Sequence, residues 1–554
     1  MKKAILMLTL LAFFRACLPA VAGAAEGSPG RAAWEKGREL AEAAVAGIRA
    51  REGRLPGKVA ALVWCGETAR DEGVMVSFVL SLVGVRPVWD REGEVRGLEL
   101  IPPQELARPR LDAVVIISGL FRDNFEPAVV LMDRAFRLAL AASYHEIARN
   151  HPELKEALEA ALLTPGMAGL SSKGEEPLEQ NFVAGHWVRL AKEYLAAGKS
   201  PWVAGRLAAA RIFGPPPGGY GAGIGEHIKG GREGLAALYA EQLGHTYGED
   251  TWGEENVPLF REQLKDVEFA FHSRNTELYG LLDNTVSYDY CGGLLLSLEK
   301  QGKQSEMFII GGPAWQIQTL SEYLTEELST KYFDPRWVEA NPEKGFGFVS
   351  NLWGWQVTVP RVVREWMWEG AYGMYREAVS ARQKIIRSNP CLLIRFVGTL
   401  IAAAQKGYWH PDEAALRELA IAWLQLTAAY GEKCSWYREN PEITAWARSY
   451  LEKATPSPPG TEERAEATRG APVEPVKPGE APEPDAKGQG PGPGGEQAAK
   501  REIPPGKAYE VEVARPPGLA KVPPAFLPLA GVIILLIVAA VRHVGGRVRR
   551  RAER

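Results

Sequence analysis

The chain has 554 residues, with 65 Lys and Arg against 68 Asp and Glu and a formal net charge of -3. That balance argues against a general nucleic-acid binder and against charge-driven docking on acidic lipid. Five cysteines occur and none forms a C-x-x-C pair, which removes the usual pattern of a structural zinc site.

Lys2 and Lys3 precede an apolar run from Ala4 to Phe14 and then the small residues "ACLPAVAGAAEG". Basic, apolar, then small is the order of a secretory signal, expected over residues 1–24. Residues 25–453 have the length and apolar content of a folded ectodomain. "KVAALVWCG" predicts a buried strand, "EGVMVSFVLSLVG" a helix ending at Gly84, and "GLELIPP" and "RLDAVVIISG" two further strands. Strands alternating with a helix predict a Rossmann-like parallel α/β sheet. Asp123 with Glu126 reads as a capping box. The face Phe125, Val129, Met132, Phe136 and Leu140 then predicts an amphipathic helix. Helical patterns run on to Gly214, "VEFAFHSR" and "MFIIGGPA" return to strand character, and residues 361–451 are helical again. In that last block a helical hairpin joined at "GYWHPDE" brings Cys391 beside Cys434, so a disulfide is reasonable in an oxidising compartment.

Residues 454–522 are rich in Pro, Gly, Glu and Ala and read as a disordered tether. Residues 523–542 hold the run "AFLPLAGVIILLIVAAV", expected to be a transmembrane helix, and 543–554 form a tail rich in arginine. Arginine is retained on the cytoplasmic side. The expectation is a single-pass type I protein of the cell membrane with its folded part extracytoplasmic.

The stretch "RIFGPPPGGYGAGIGEH" carries glycines at 214, 218, 219, 221, 223 and 225. Its spacing is neither G-x-G-x-x-G nor a P-loop, no strand is expected before it, and no Lys-Ser/Thr follows. Two readings stay open: a loop whose missing side chains let backbone approach a broad ligand, or a tightly packed turn.

"RIFGPPPGGYGAG" resembles a signature of the cobaltochelatase large subunit, CobN, a relative of the porphyrin-binding large subunit of magnesium chelatase. The segment from Gly84 to Phe125, with its Ser-Gly-Leu-Phe-Arg-Asp run, is similar to the same family. So are "EQNFVAGHW", "FHSRNTELYGLLDN" with "YCGGL", "LTEELSTKYFDPRWVE" and "WGWQVTVPRVVREWMW". These blocks keep the family's order and correspond to its C-terminal part. Cys291 stands where many members have His or Leu, and the segment 334–348 is shorter than theirs.

The resemblance implies a protein that binds a porphyrin- or corrin-type tetrapyrrole and inserts or removes a divalent metal (cobalt, iron or magnesium), with no covalent cofactor. Such chemistry needs a flat apolar slot, proton carriers, a metal ligand, and arginines for the ring's carboxylates. The matched blocks nominate Glu67, His186 and Asp283 as catalytic groups. They nominate Arg122, Arg211, Tyr220, Gly221, Gly223 and Arg274 for the macrocycle, and His186, His272 and Cys291 for the metal. Tyr288, Trp353 and Trp355 are stacking candidates. Each has a plainer alternative: a hydrogen-bonded core histidine, a helix cap at Glu67, a turn at Asp283, or buried packing for Cys291 and the aromatics. The family resembles a platform served by ATPase subunits in the cytosol, which an exported chain would not meet. An ATP-independent chelatase, a tethered tetrapyrrole or metal receptor feeding a transporter, and a scaffold that kept the fold and lost the ligand are the three functions to separate.

Overall fold

A computed structural model describes residues 28–453, apart from 168–172, 275, 277, 278 and 313. The expected signal, tether, membrane span and basic tail lie outside the described residues. Among the described residues no helix is long and apolar enough to cross a membrane.

The strands are β1 (Lys58–Val63), β2 (Val85–Trp89), β3 (Val95–Leu100), β4 (Asp112–Ile117), β5 (Ile212–Gly214), β6 (His245–Tyr247), β7 (Trp252–Glu255), β8 (Phe269–Arg274), β9 (Glu306–Gly311) and β10 (Gln316–Thr319). Eight of them form one sheet in the order β10-β9-β8-β1-β4-β5-β6-β7, and β2 and β3 form a separate antiparallel pair. The middle five, β9-β8-β1-β4-β5, run parallel, and antiparallel strands extend both edges. β1 and β4 are buried along their whole length, as expected of strands covered on both faces. Alternate side chains go to opposite layers: Val59, Ala61, Val115 and Ile117 enter one core, while Ala60, Leu62, Val114 and Ile116 enter the other. The first core is roofed by the helices Arg31–Glu52 and Val74–Leu82. They pack so closely that a Cβ on Gly37 would sit 2.4 Å from that of Ser77. The second core extends into the helical block that includes Pro342–Thr358, Pro390–Gln405 and Glu413–Tyr430.

Several expectations are met. β1, β4, β8 and β9 stand where the apolar runs predict strands, the Val74–Leu82 helix forms, and Phe125, Val129, Met132, Phe136 and Leu140 are all buried. Three expectations are corrected. "GLELIPP" becomes β3, but in the small hairpin rather than the main sheet, because it pairs only with β2. Asp123 and Glu126 do not form a capping box: Ser118 caps the helix Gly119–Asn124 through Phe121 N–H (3.2 Å), and Phe125 starts the next helix without a side-chain cap. The glycine stretch does follow a strand, because Ile212–Gly214 is a parallel strand of the main sheet, too short for its apolar pattern to stand out.

Cys391 and Cys434 are adjacent, with Cys434 Sγ 3.9 Å from the Cys391 carbonyl, but both are free thiols.

Candidate functional site

In an open parallel sheet, ligands bind beyond the carboxyl ends of the strands, where the connection order reverses. Here that reversal flanks β1, which has β4 on one side and β8 on the other. Four of the loops that leave the sheet at this end carry residues nominated from sequence. β1 leads into Trp64 and the helix Cys65–Asp71, and β4 into Ser118 and the helix Gly119–Asn124. β5 leads into the glycine stretch, and β8 into the segment containing Tyr279–Asp283.

The glycine stretch is a structured cradle. Gly221 and Gly223 have φ of 83° and 78°, a left-handed conformation that glycine adopts without a Cβ penalty. The backbone N–H groups of Ala222, Ile224 and Gly225 donate to the Asp289 carboxylate at 2.7, 2.8 and 2.9 Å. Successive N–H groups aimed at one anion make a nest of the kind that elsewhere holds phosphate. In this chain the protein's own carboxylate fills it. Asp289 belongs to one turn of π-helix, Tyr288–Gly292, a distortion that often marks functional positions. Burial pushes its carboxyl up from the ordinary value, and the N–H groups pull against that shift.

Arg122 fixes the other wall. It is buried, its Nη1 donates to the carbonyls of Pro215 (3.0 Å), Pro216 and Gly219 (3.3 Å), and its Nε to Asp123 (2.7 Å). Its Nη2 is buried with no hydrogen-bond partner. Tyr220 lies outside this layer, 60% exposed, with its ring 5.6 Å from the Arg122 guanidinium and its hydroxyl donating to Asp123 (2.6 Å). Leu120, after β4, is 56% exposed, and Tyr279, after β8, is 50% exposed. Large apolar side chains therefore stand in solvent on three of the four loops.

Beneath them lies a charged layer. Arg274 Nη1 donates to Glu67 (3.1 Å), and its other nitrogens hold the carbonyls of Tyr279 and Gly280, both at 3.1 Å. Glu67 also pairs with Arg70. Asp71, at the end of the same helix, accepts from Gly73 (3.0 Å) and Val74 (3.1 Å), and burial pushes it up to about 7. Asp283 accepts from Gly280 N–H (2.6 Å) and from the Tyr332 hydroxyl (2.8 Å). Glu327, buried at the end of the helix Leu320–Glu327, accepts from Leu281 N–H at 2.9 Å. Burial first, and the nearby Asp283 charge, push Glu327 up to about 7.

Of the residues nominated from sequence, Glu67, Arg122, Tyr220, Gly221, Gly223, Arg274 and Asp283 are at this end of the sheet. His186 and Arg211 are not. Both bind Asp112 at the amino end of β4 (His186 Nδ1 at 3.0 Å, Arg211 Nε at 2.8 Å), where Lys58 also approaches at 3.4 Å. Burial alone would raise Asp112, but Arg211, Lys58 and His186 together hold it well below the usual carboxylate range. That cluster is a buried ionic tie between β1, β4, β5 and the helix Phe182–Ala196. His272 is fully buried on β8, its ring 4.3 Å from that of Trp64, and desolvation followed by Arg274 lowers it to about 3. Its imidazole is neutral, and Nε2 has no hydrogen-bond partner. Cys291 is wholly buried and desolvation pushes its thiol up to about 12, against the thiolate form that a metal would need. The three expected metal ligands are thus not brought together, and no group of three or more His, Cys, Asp or Glu among the described residues has metal-holding geometry. Tyr288 and Trp355 are buried, and the partly buried Trp353 packs against Trp368 and Tyr408; Tyr220 is the stacking candidate that is exposed.

Asp289 and Glu327 lie beside or within blocks that resemble the family, "YCGGL" and "LTEELSTKYFDPRWVE", but nothing in those blocks singles out the two carboxylates. "YDYCGG" and "TEELST" place them among aromatic and polar neighbours, and only the tertiary fold aims them at the loops.

The CobN/Magnesium Chelatase family profile matches residues 25–416. Curated relatives include the magnesium-chelatase H protein of Cereibacter sphaeroides, 25% identical over 66% of this chain and 29% of the relative. Another is the aerobic cobaltochelatase CobN of Sinorhizobium sp, 25% identical over 71% of this chain and 29% of the relative. Among solved structures, the catalytic subunit of cobaltochelatase from Mycobacterium tuberculosis superposes with a TM-score of 0.61 at 30% identity, over 73% of this chain and 32% of that one. The chain spans about a third of the length of such relatives. On this match the chain belongs to the CobN/magnesium chelatase family.

Proposed function

We propose that this chain binds a tetrapyrrole across the carboxyl ends of β1, β4, β5 and β8 and exchanges its central divalent metal. The observation that carries the reading is the combination at that edge. Leu120, Tyr220 and Tyr279 are exposed on three of these loops, and the buried guanidinium of Arg274 and carboxylates of Glu67, Asp283 and Glu327 are bonded to the Tyr279–Asp283 segment or to one another. A flat macrocycle gains from apolar contact on its face, while protons and a divalent cation need carboxylates close by. The metal is substrate, carried between solvent and ring, so a permanent three-ligand cage is not required.

Cobalt, iron and magnesium remain the candidate metals. The extracytoplasmic, membrane-tethered placement belongs to the same proposal and rests on the sequence at both ends. An exported chain cannot draw on cytosolic ATPases, so exchange would run on proton and metal gradients alone. The second reading is a receptor that only binds tetrapyrrole or metal and passes it to a transporter; for a tetrapyrrole, the exposed Leu120, Tyr220 and Tyr279 would suffice without any of the carboxylates.

The test is to incubate the purified full-length chain with a metal-free dicarboxylic porphyrin and with its cobalt and zinc forms, following the absorption bands. Exchange faster than in buffer supports the chelatase. Saturable binding without exchange supports the receptor, and no spectral change rejects both.

A further inference from the structure

Two carboxylates and one phenol form a continuous hydrogen-bonded chain beside the Tyr279–Asp283 segment. The Tyr332 hydroxyl lies 2.8 Å from Asp283 Oδ1 and 3.4 Å from Glu327 Oε1. A phenol has one hydrogen to give. With that hydrogen on Asp283, the Tyr332 oxygen is left as an acceptor facing Glu327. The arrangement is then satisfied throughout when Glu327 is protonated and donates to Tyr332. The remaining oxygens are held by backbone: Gly280 N–H on Asp283 Oδ2 at 2.6 Å and Leu281 N–H on Glu327 Oε2 at 2.9 Å. A Cβ on Gly280 would fall 1.2 Å from Glu327 Oε1, so glycine there lets backbone and carboxyl meet.

The two ends differ. Lys344, from the helix Pro342–Thr358, stands 3.8 Å from Asp283 and 5.1 Å from the ring of exposed Tyr279. Asp283, itself 4% exposed, is therefore the end nearer the outer face, reached through the half-exposed Lys344. Glu327, equally buried, is the inner end on the helix Leu320–Glu327. Facing it are Lys331 from the following turn, Tyr323 from its own helix, Asp283 and Tyr332, while Arg274 and Glu67 lie across Gly280. One turn of π-helix, Leu328–Tyr332, sets Glu327 and Tyr332 on the same side.

We propose that Glu327, the Tyr332 hydroxyl and Asp283 form a proton relay, with Asp283 the exchange point at the loop face and Glu327 the reservoir. The macrocycle as source of the protons rests on the function proposed above; the relay's geometry does not. When a divalent ion enters a metal-free ring, two N–H bonds break, both electron pairs pass to the metal, and two protons leave with nothing oxidised or reduced. Each proton goes to the Asp283 carboxylate. Asp283 then donates to the Tyr332 oxygen as Tyr332 gives its own hydrogen to ionised Glu327. The reverse shift returns the proton to Asp283 and on to water, two passages serving one metal. In metal removal, protonated Glu327 is the source. Burial sets Glu327 near neutrality, so both directions have an occupied starting state.

The test uses the full-length chain in detergent. Infrared difference spectra between mildly acidic and alkaline pH should show buried protonated-carboxyl absorption, to which Asp71 also contributes, with one component that vanishes in Glu327→Gln and shifts in Tyr332→Phe. A spectrum unchanged in Glu327→Gln overturns the relay whether or not the chain exchanges metal. With zinc and the metal-free dicarboxylic porphyrin, wild-type insertion should rise with pH through neutrality. Glu327→Gln should keep porphyrin binding within about twofold, lose about a hundredfold in insertion rate, and lose the pH dependence; Glu327→Asp should restore part of both. Unaltered insertion in Glu327→Gln contradicts the relay. A wild-type chain that exchanges no metal contradicts the chelatase instead, and the infrared result still decides the relay.

Discussion

Asp289 takes the place that an anionic ligand would occupy in the glycine stretch: its Oδ1 accepts from Ile224 N–H at 2.8 Å. With Ala222 and Gly225 it satisfies three backbone donors at once, so the loop's shape depends on a side chain more than sixty residues away. Asp289→Ala leaves those donors without a partner. The expected loss is about 2–4 kcal/mol of unfolding free energy, measured by urea denaturation, with the largest rise in amide exchange over residues 218–225. An unchanged midpoint would mean that the nest is not what shapes the loop.

The Glu67–Arg274 pair is buried on both sides, with side-chain exposures of 1% and 5%. Removing one partner strands a charge in low dielectric. Glu67→Gln should cost about 3 kcal/mol, and Glu67→Gln with Arg274→Met should be less destabilised than the single variant. A double-mutant cycle checks this; simple additivity would show that the two side chains are not coupled.

Two carboxyls give stability a defined pH dependence. Glu327 rises from an ordinary 4.5 to about 7, and Asp71 from 3.8 to about 7. A carboxyl raised on folding binds its proton more tightly in the folded chain. Its contribution is therefore full below the unfolded value and is lost as pH climbs to about 7. Unfolding free energy attributable to these groups should begin to fall at pH 3.8 for Asp71 and 4.5 for Glu327, and level off above about 7. Glu327→Gln and Asp71→Asn should each flatten that slope, a result that denaturation at four or five pH values resolves.

The Cys391 and Cys434 thiols neighbour one another in the reduced fold, and desolvation together with Cys434 pushes Cys391 up to about 11. A chain exported as we propose meets an oxidising compartment. It should then carry a disulfide that closes the loop between the two and adds about 4 kcal/mol. Alkylation of membrane-extracted protein, with and without reductant, reads this from the intact mass. Two thiols free before reduction would argue against export.

Legibility followed the range of the interactions. β1, β4, β8 and β9 are continuous apolar runs, and the helix at 126–141 repeats its buried face every turn, so local pattern sufficed. β5 has three residues, and β6 and β7 carry His, Thr, Gly and Glu; they are strands because neighbours pair with them, not because of their own composition. Asp123 leaves the helix Glu126–Ala141 without a side-chain cap because Arg122 and Tyr220 hold its carboxylate. Among the nominated residues, Glu67, Arg122 and Arg274 stand at the carboxyl ends of strands, whereas His186 and Arg211 stand at the amino end of β4. Their blocks adjoin Asp112 at the start of β4, a relation that spacing along the chain does not express.

Tyr220 tests the central claim most directly, because it is exposed and its loss should leave the fold intact. Titration of the full-length chain with a metal-free dicarboxylic porphyrin, followed at the Soret band, should give a saturable shift. Tyr220→Ala should weaken it about tenfold, consistent with losing one ring-on-ring contact of about 1.4 kcal/mol, while changing stability by less than about 0.5 kcal/mol. Tyr279→Ala should act in the same direction. No shift in the wild type, or equal affinity in Tyr220→Ala and Tyr279→Ala, would contradict a macrocycle lying across the carboxyl ends of these strands.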